Sequence, residues 1–307
     1  MRVDMAREAR TESGLTLRLT TRGDGAVFDR FFAGYDRAFV LPDEKEDEAG
    51  FRTCLDLNHG EAHAALVARY GPFCEICLIA EETESGAFVG GANLIAMPVA
   101  GRITANLNYI YVDGAARGRG CLARMVAAIG EVVGGLFPDE AAGAPLIFIE
   151  QNDPFAMSPE NYAHDSAATG LDQIDRLRIW ARRGALAIDF PYVQPPLSAA
   201  QQPDAALLLS VLGSTGPILD ACLLEGHLRR FFGISVLKGR AAEAEPSAAA
   251  QLAALAAACG ASEGIALRDP APLLAALLGP ADLDGLFHAR PTSFRAALQQ
   301  FATPSIG

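Results

Sequence analysis

The sequence predicts an α+β fold, in which a mixed, mostly antiparallel sheet is flanked by helices and followed by a helical C-terminal extension. Three apolar, β-like runs, at residues 74–81, 87–97 and 105–112, follow one another with only turn-rich segments between them, as in consecutive hairpins. A turn rich in glycine and arginine follows the third run directly. Beyond it, apolar residues recur every three or four positions from Leu122 to Leu136, which is the spacing of one helix face.

The elements before this centre are predicted in chain order. Residues up to Gly14 are expected to form a flexible lead, and residues 15–20 alternate as a first strand. Five aromatic residues then fall at helical spacing and are interpreted as a core stripe: Phe28, Phe31, Phe32, Tyr35 and Phe39. The acidic run 43–48 is interpreted as a solvated loop or helix face, with attraction of a cationic amine as the alternative.

The elements after the central helix begin with a short buried strand at 146–149 that ends at Glu150. Residues 151–172 form a polar, turn-rich insertion, which is interpreted as a loop that shapes a binding pocket. The remaining predicted elements are a helix at 174–183, a strand at 186–190, a strand at 206–211, a helix at 218–232 and a strand at 234–237.

The tail from Arg240 onward is rich in alanine and predicts further helices. We therefore divide the chain into a core domain at 1–239 and a helical extension at 240–307. The extension is expected to pack on the core or on a second subunit, and the second arrangement would make the protein a homodimer.

Composition and charge limit the classes of partner. The chain has 307 residues, half of them hydrophobic, which is enough to bury a sizeable core. Its formal net charge is −12, which argues against DNA or RNA as a partner because nucleic-acid binding depends on a basic face. The N-terminal residues are charged and lack the apolar stretch of a signal peptide, and no apolar run reaches the ~20 residues of a membrane span. We therefore expect a cytoplasmic protein.

The six cysteines are scattered along the chain, which is typical of reduced thiols. Cys74 and Cys77 form a CxxC motif, but it lies in an apolar run without a second pair, so core packing is favoured over zinc binding. His59 and His63 are four residues apart without an accompanying carboxylate motif. No metal site is predicted.

The turn Arg117-Gly118-Arg119-Gly120 is the strongest candidate for a binding site. A helix N-terminus leaves main-chain N–H groups without partners and carries a partial positive charge, so it can bind a phosphate. Glycines allow the anion to approach the main chain, and the two arginines add positive charge. In a chain as acidic as this one, the turn indicates a phosphorylated small ligand.

The segment 107–125 resembles motif A of the GCN5-related N-acetyltransferase (GNAT) superfamily, in which Q/R-x-x-G-x-G/A opens a helix after a strand. Arg117, Gly118, Arg119 and Gly120 match the motif, and Leu122 stands where the family usually has Gly or Ala. The resemblance implies acetyl-CoA as the acyl donor. The main chain from Arg117 through Cys121 to Leu122 would then hold its pyrophosphate.

The same resemblance places the pantetheine arm of acetyl-CoA in a gap between two splayed strands, along the main chain of Ile110, Tyr111 and Val112. It also implies that the first helices lie over the acceptor site, so that Tyr35 or Phe39 would line that site.

The family's usual catalytic pair is not present in this sequence. The position of the usual glutamate base is Asn106, and Trp180 stands in place of the usual tyrosine acid; neither can perform that proton transfer. Three residues are the candidates for catalysis: Glu150 as a base, and Tyr109 and Tyr111 as partners of the acceptor or as proton donors to the thiolate. Further polar residues near the expected pocket are Tyr192, His164, Asp153 and Asp165, for which solvated or turn-forming roles are the alternative.

The predicted function is transfer of an acetyl or short acyl group from CoA to an amine of a small molecule or peptide, by direct attack on the thioester. Two alternatives remain open: a CoA-binding module without turnover, and a longer-chain acyltransferase. A flavin or nicotinamide enzyme is disfavoured because the glycines do not follow the G-x-G-x-x-G order.

Overall fold

The computed structural model describes residues 7–41, 45–139, 143–197, 201–277 and 291–302. The chain divides into two compact units: unit 1 comprises 1–147 and 226–244, and unit 2 comprises 148–225 and 245–307. This differs from the predicted division at residue 239, because residues 148–225 belong with the C-terminal residues and not with the N-terminal ones.

In its described residues, unit 1 contains five strands that pair in chain order, each antiparallel to the next. They are β1 Arg7–Arg10, β2 Leu15–Thr20, β3 Cys74–Glu82, β4 Phe88–Val99 and β5 Arg102–Val112. The predicted hairpins are confirmed, whereas β1 replaces part of the expected flexible lead. Its sequence, REAR, is mostly exposed, as is common for a short charged edge strand, and it carries no apolar alternation that would predict it.

The helices that lie wholly within the described part of unit 1 are α1 Ala26–Ala38, α2 Glu48–Asp56, α3 Gly60–Tyr70 and α4 Cys121–Gly134. The part of the acidic run at 43–44 lies outside the described residues. Asp47 accepts a hydrogen bond from the Gly50 main chain (2.7 Å) and caps α2, and Glu46 pairs with Lys238 at 2.9 Å. One residue of the acidic run, Asp47, is therefore the N-cap of a helix.

Unit 1 also includes the end of α7 (Ala221–Phe231) and a π-helical turn at Phe232–Val236. The strand predicted at 234–237 is therefore wrong. The Leu237 N–H donates to the Phe232 carbonyl at 2.8 Å and closes the turn. A short apolar run is compatible with a buried strand or a buried helical turn, and its period alone does not distinguish them.

The aromatic stripe predicted on α1 is confirmed as part of the core. Phe28, Phe31 and Tyr35 are fully buried and pack with Phe51 from α2 and Tyr111 from β5. Two glycines make room for the tyrosine ring: an added Cβ would lie 2.2 Å from the Tyr111 hydroxyl at Gly34 and 2.6 Å from it at Gly91. Cys77 also lies in this cluster, so the predicted packing role of the CxxC is confirmed for its second cysteine.

Unit 2 contains the second set of strands, in the order β6-β8-β7-β10-β9. They are β6 Leu146–Asn152, whose residues from Phe148 belong to this unit, β7 Leu186–Ile188, β8 Leu207–Leu212, β9 Ile218–Asp220 and β10 Gly264–Arg268. β7 is antiparallel to β8 and β10, and β10 is antiparallel to β9. Together with unit 1, these elements confirm the predicted α+β class with a mostly antiparallel arrangement of strands and flanking helices.

The helices of unit 2 are α5 Pro159–Thr169, α6 Gln173–Ala181, α8 Pro246–Gly260, α9 Ala271–Ala276 and α10 Phe294–Ala302. The insertion 151–172 is therefore not a loop throughout. Ser158 caps α5 by accepting from the Asn161 N–H (3.1 Å), Pro159 occupies its first turn, and Gly170 ends it in a left-handed conformation. Ser, Pro and Gly at these positions are ordinary helix boundary signals.

Two further expectations for unit 2 are corrected. The helix predicted at 218–232 starts with the strand β9, and the tail expected to be helical contains the strand β10, which pairs with β7 and β9. The short sequence Gly264–Arg268 is half-exposed and too brief to show a period.

One pair of cysteines is oxidised, which corrects the expectation of six free thiols. Cys222 at the start of α7 and Cys259 at the end of α8 form a disulfide, while Cys54, Cys74, Cys77 and Cys121 are free and buried.

Across the described ranges, no helix combines the length and the apolar character that a bilayer crossing requires.

Candidate functional site

The glycine- and arginine-rich turn connects β5 to α4 as predicted. After Val112, Asp113 accepts a hydrogen bond from the Ala115 N–H (3.0 Å) and starts a 3₁₀ turn at Gly114–Ala116. Gly118 follows with φ +76° and Gly120 with φ +69°, and Gly120 is the N-cap of α4. Both backbone conformations favour glycine, so these two residues give the turn its shape.

The turn presents several main-chain N–H groups. The Gly120 carbonyl accepts from Ala123 (3.1 Å) and Arg124 (3.3 Å), which closes the first turn of α4. Within the part of the chain that the structure describes, the N–H groups of residues 118–122 have no internal acceptor. Unpaired N–H groups at a helix start, together with the helix dipole, form a site for an anion.

The space above the turn is open. A Cβ added at Gly114, Gly118 or Gly120 would meet no atom within 4 Å, and residues 117–120 are exposed. Leu122 is half-buried, and Cys121 is buried with 3 % exposure, so Cys121 would contribute through its main chain. A ligand can therefore approach the main chain of this turn.

The two arginines of the turn, Arg117 and Arg119, differ in their hydrogen-bond acceptors from Arg124, the next arginine in the chain. Arg117 donates to the Val112 carbonyl at 3.5 Å and Arg119 to the Ala115 carbonyl at 3.3 Å. Among the described residues, neither has a carboxylate within 4.0 Å. In contrast, Arg124 donates to both oxygens of Glu82 (2.8 and 2.7 Å) and thereby lowers the pKa of that carboxyl. The guanidinium groups of Arg117 and Arg119 are therefore available to pair with an anionic ligand.

From Tyr109 to the turn, the strand that the resemblance assigns to the pantetheine arm pairs regularly with β4. Ile110, Tyr111 and Val112 pair with residues 92, 91 and 90 of β4. The Tyr111 side chain is buried, its hydroxyl donates to the Phe31 carbonyl at 2.8 Å, and burial raises its pKa. These are the contacts of a core residue.

Tyr109 is half-buried and packs against three aromatic rings, with centroid distances of 4.9 Å to Tyr35, 5.2 Å to Phe39 and 5.6 Å to Phe51. Tyr35 from α1 and Phe39, the residue directly after α1, therefore lie beside β5. The catalytic role of Tyr109 stays a prediction.

Asn106, at the position of the family's usual base, is fully buried and hydrogen-bonded. Its amide nitrogen donates to the Asn108 oxygen at 2.9 Å, and its oxygen lies 3.4 Å from Nε2 of His227. The other ring nitrogen of His227 lies 3.0 Å from the Thr104 hydroxyl. Sequence reasoning missed this histidine, because 121 residues separate it from Asn106 and no local pattern connects them.

Glu150 belongs to unit 2 and is half-buried near the end of β6, which continues to Asn152. The Tyr192 hydroxyl donates to its carboxylate. Tyr192 is buried, and burial together with the negative charge of Glu150 raises the pKa of the Tyr192 hydroxyl. The structure thus connects two residues that the sequence singled out separately, and the assignment of Glu150 as a base stays a prediction.

The other polar candidates have structural contacts. Asp153 is buried and accepts hydrogen bonds from the main chain of Phe155, Ala156 and Phe294, although burial still raises its pKa. His164 is exposed on α5, and the Asp165 carbonyl accepts from Thr169 in the same helix. Trp180 is half-buried on α6.

No protein-family model and no curated protein matches the chain. Solved structures do match it. One, described as a putative acetyltransferase from the GNAT family of Bacteroides thetaiotaomicron, is 16% identical with a TM-score of 0.43, over 68% of this chain and 91% of that one. The ribosomal-protein-S5-alanine acetyltransferase of Vibrio fischeri is 12% identical with a TM-score of 0.34, over 67% of this chain and 96% of that one.

A third match is an aminoglycoside 6'-N-acetyltransferase complexed with coenzyme A, at 14% identity and a TM-score of 0.28, over 56% of this chain and 93% of that one. The matched structures are acetyltransferases. The first of the three is described as a member of the GNAT family. Identities of this size and TM-scores below 0.5 do not transfer an activity to this chain.

Proposed function

We propose that the protein is an N-acetyltransferase that moves an acetyl or other short acyl group from CoA to an amine by direct attack on the thioester. The observation that supports this most directly is the open turn between β5 and α4. Among the described residues, its N–H groups from residue 118 to 122 lack internal acceptors, and neither Arg117 nor Arg119 beside them has a carboxylate within 4.0 Å. This combination suits a diphosphate.

Under this proposal the pyrophosphate binds the turn and the pantetheine arm lies along the main chain of Ile110, Tyr111 and Val112. The amine nitrogen then attacks the thioester carbonyl, the nitrogen–carbon bond forms, and the carbon–sulfur bond breaks. The amine loses one proton and the thiolate gains one, so the reaction needs a base and an acid.

Glu150 is the proposed base, and Tyr109 and Tyr111 are the two candidates for the acid. Tyr111 donates its single hydroxyl hydrogen to the Phe31 carbonyl inside the aromatic core. Replacement of Glu150 by Gln is expected to lower turnover and leave the acetyl-CoA affinity unchanged. Full activity of Glu150→Gln would exclude this residue as the base.

Calorimetric titration with acetyl-CoA tests the binding site. The double variant Arg117→Glu with Arg119→Glu places two anions beside the pyrophosphate, and we expect its affinity to fall by at least ~100-fold, since contacts to charged groups contribute about 1.5–3 kcal/mol each. Arg10→Glu is the matched control, because Arg10 is exposed on β1, outside the turn. Equal affinities of the double variant and the control would refute the site.

A CoA-binding module without turnover is the second candidate, and the buried, hydrogen-bonded Asn106 in place of a base favours it. Release of CoA from acetyl-CoA upon addition of primary amines distinguishes the two. The enzyme releases CoA with at least one amine, whereas the module binds acetyl-CoA and releases none.

A further inference from the structure

Three asparagines form a continuous hydrogen-bonded row across β4 and β5. The pairing of these strands shifts register between Asn93 and Leu94, so β5 carries an extra residue, Asn108, between Leu107 and Tyr109. Such a bulge bends the strand and redirects a side chain. Here it places the Asn108 amide between the side chains of Asn106 and Asn93.

The orientation of the Asn108 amide is fixed from both ends. Its oxygen accepts from the Asn106 amide (2.9 Å), and its nitrogen donates to the Asn93 oxygen (2.9 Å). Asn93 in turn donates to the Ile76 carbonyl at 3.1 Å. Because each partner is held by a further bond, the Asn108 amide cannot flip without breaking the row.

His227 supports the other end of the row. It is fully buried, with its ring nitrogens facing Asn106 and Thr104, and burial together with the charge of Arg230 lowers its pKa to about 3. The ring is therefore neutral near neutral pH. It can hold the Asn106 amide but cannot itself act as a titrating base.

Only Asn108 reaches the surface. Asn93 and Asn106 are buried with 3 % and 0 % exposure, whereas Asn108 is half-buried. A primary amide has two N–H groups and two lone pairs, and the bonds to Asn106 and Asn93 use one of each. Among the described residues Asn108 has no further side-chain partner, so one N–H and one lone pair of its amide remain for a ligand.

A row of buried amides is an unusual choice for stability alone, since apolar side chains fill a sheet face without desolvating polar groups. Its position suggests a use. Asn108 lies four residues before Val112, about 13 Å along β5, on the strand to which the proposed function assigns the pantetheine arm.

We propose that Asn108 binds the acceptor amine, its amide oxygen accepting an N–H of the uncharged amine and so orienting the nitrogen lone pair. Asn106 and His227 are positioning residues that fix this amide. The row contains no carboxylate, so it favours a neutral primary amine over an ammonium ion. This inference rests on the proposed acetyl transfer.

The test measures CoA release by chromatography with acetyl-CoA and four primary amines: glycinamide, Nα-acetyl-lysine, spermidine and kanamycin. For the amine that reacts fastest with the wild type, Asn108→Ala should lower kcat/KM by ~10- to 100-fold, since an unmade polar contact costs about 1–3 kcal/mol. The Kd for acetyl-CoA should stay within about twofold. Gln202→Ala, which removes an exposed amide from unit 2, is the control and should match the wild type.

Asn108→Asp keeps the shape of the side chain and its acceptor oxygen but loses the N–H donated to Asn93, so thermal melts of both variants check that each is folded. A carboxylate at this position favours the ammonium form, so KM for the amine should fall together with kcat. His227→Phe should lower kcat/KM less than Asn108→Ala does. Combined with Asn108→Ala, it should add no further loss, because both changes act through one amide.

The outcomes separate this inference from the proposed function. If the wild type does not bind acetyl-CoA, the proposed function fails and the inference with it. If it binds acetyl-CoA but no amine releases CoA, the acceptor site is refuted while the CoA site stands. If an amine reacts and Asn108→Ala equals the wild type, or loses acetyl-CoA affinity to the same extent as activity, acetyl transfer stands and the role of Asn108 is refuted.

Discussion

Replacement of Glu75 by Gln should remove a large pH dependence from the stability of the protein. Glu75 on β3 is fully buried, and one carboxyl oxygen accepts a hydrogen bond from the Ser235 hydroxyl. The other oxygen has no partner among the described residues. Burial raises the pKa of Glu75 to about 8, and its titratable neighbours Cys54 and Cys77 are thiols whose pKa values burial also raises. The folded protein therefore keeps this carboxyl protonated at neutral pH.

The sign of the effect follows from proton uptake. The unfolded chain releases the proton near the ordinary pKa of 4.5 and the folded chain near 8, so stability is greatest below 4.5 and falls as the pH rises to 8. A pKa difference of about 3.5 corresponds to about 5 kcal/mol in total, at about 1.36 kcal/mol for each pKa unit. Between pH 5 and pH 8 we expect a loss of about 3 to 4 kcal/mol through this one group.

Urea unfolding of the wild type and of Glu75→Gln, measured at half-unit steps from pH 5 to pH 8.5, tests this value. Glutamine has nearly the shape of the protonated acid and does not titrate, so the variant should gain about 3 to 4 kcal/mol relative to the wild type across the range. The difference between the two proteins is the relevant quantity, because His227 acts in the opposite direction below pH 6.5 in both. Glu84→Gln, in the exposed turn after β3, is the control. Parallel curves for the wild type and Glu75→Gln would refute the argument.

Three further predictions concern single contacts. Gly34→Ala should destabilise the protein by about 1–3 kcal/mol, because the new methyl group would overlap the Tyr111 hydroxyl; a stability equal to that of the wild type in thermal melts would contradict this packing. Cys222→Ser with Cys259→Ser opens a closed loop of 37 residues and should cost about 4 kcal/mol under non-reducing conditions, with no difference after reduction. Asp153→Ala leaves three main-chain N–H groups without their acceptor and should cost about 2–4 kcal/mol, more than Asp153→Asn; equal melting of the two variants would argue against this role.

The local sequence is sufficient to predict those elements whose structure depends on residues adjacent in the chain. The three hairpin strands, the aromatic face of α1 and the glycine turn before α4 follow from period-two and period-3.6 patterns and from backbone conformations that favour glycine. The helix α5 could also have been predicted, because Ser158, Pro159 and Gly170 mark both of its ends. The polarity of that segment favours a loop, whereas its boundary residues favour the helix.

The parts that sequence did not predict depend on contacts between distant residues. His227 meets Asn106 across 121 positions, and Cys222 bonds to Cys259 across 37. The turn at Phe232–Val236 is helical although its residues are equally compatible with a strand, and all five are buried. In each case the sequence offers several solutions of similar local energy, and packing selects one of them.

The sequence by itself determined the class of fold and the position of the glycine- and arginine-rich turn, because both arise from residues adjacent in the chain. Only the tertiary structure decided that residues 148–225 belong with the C-terminal segment, that Tyr192 bonds to Glu150, and that a neutral histidine stands behind the buried amides of β5. Burial changes the protonation of a side chain and supplies its partners, and neither can be read from its neighbours in sequence.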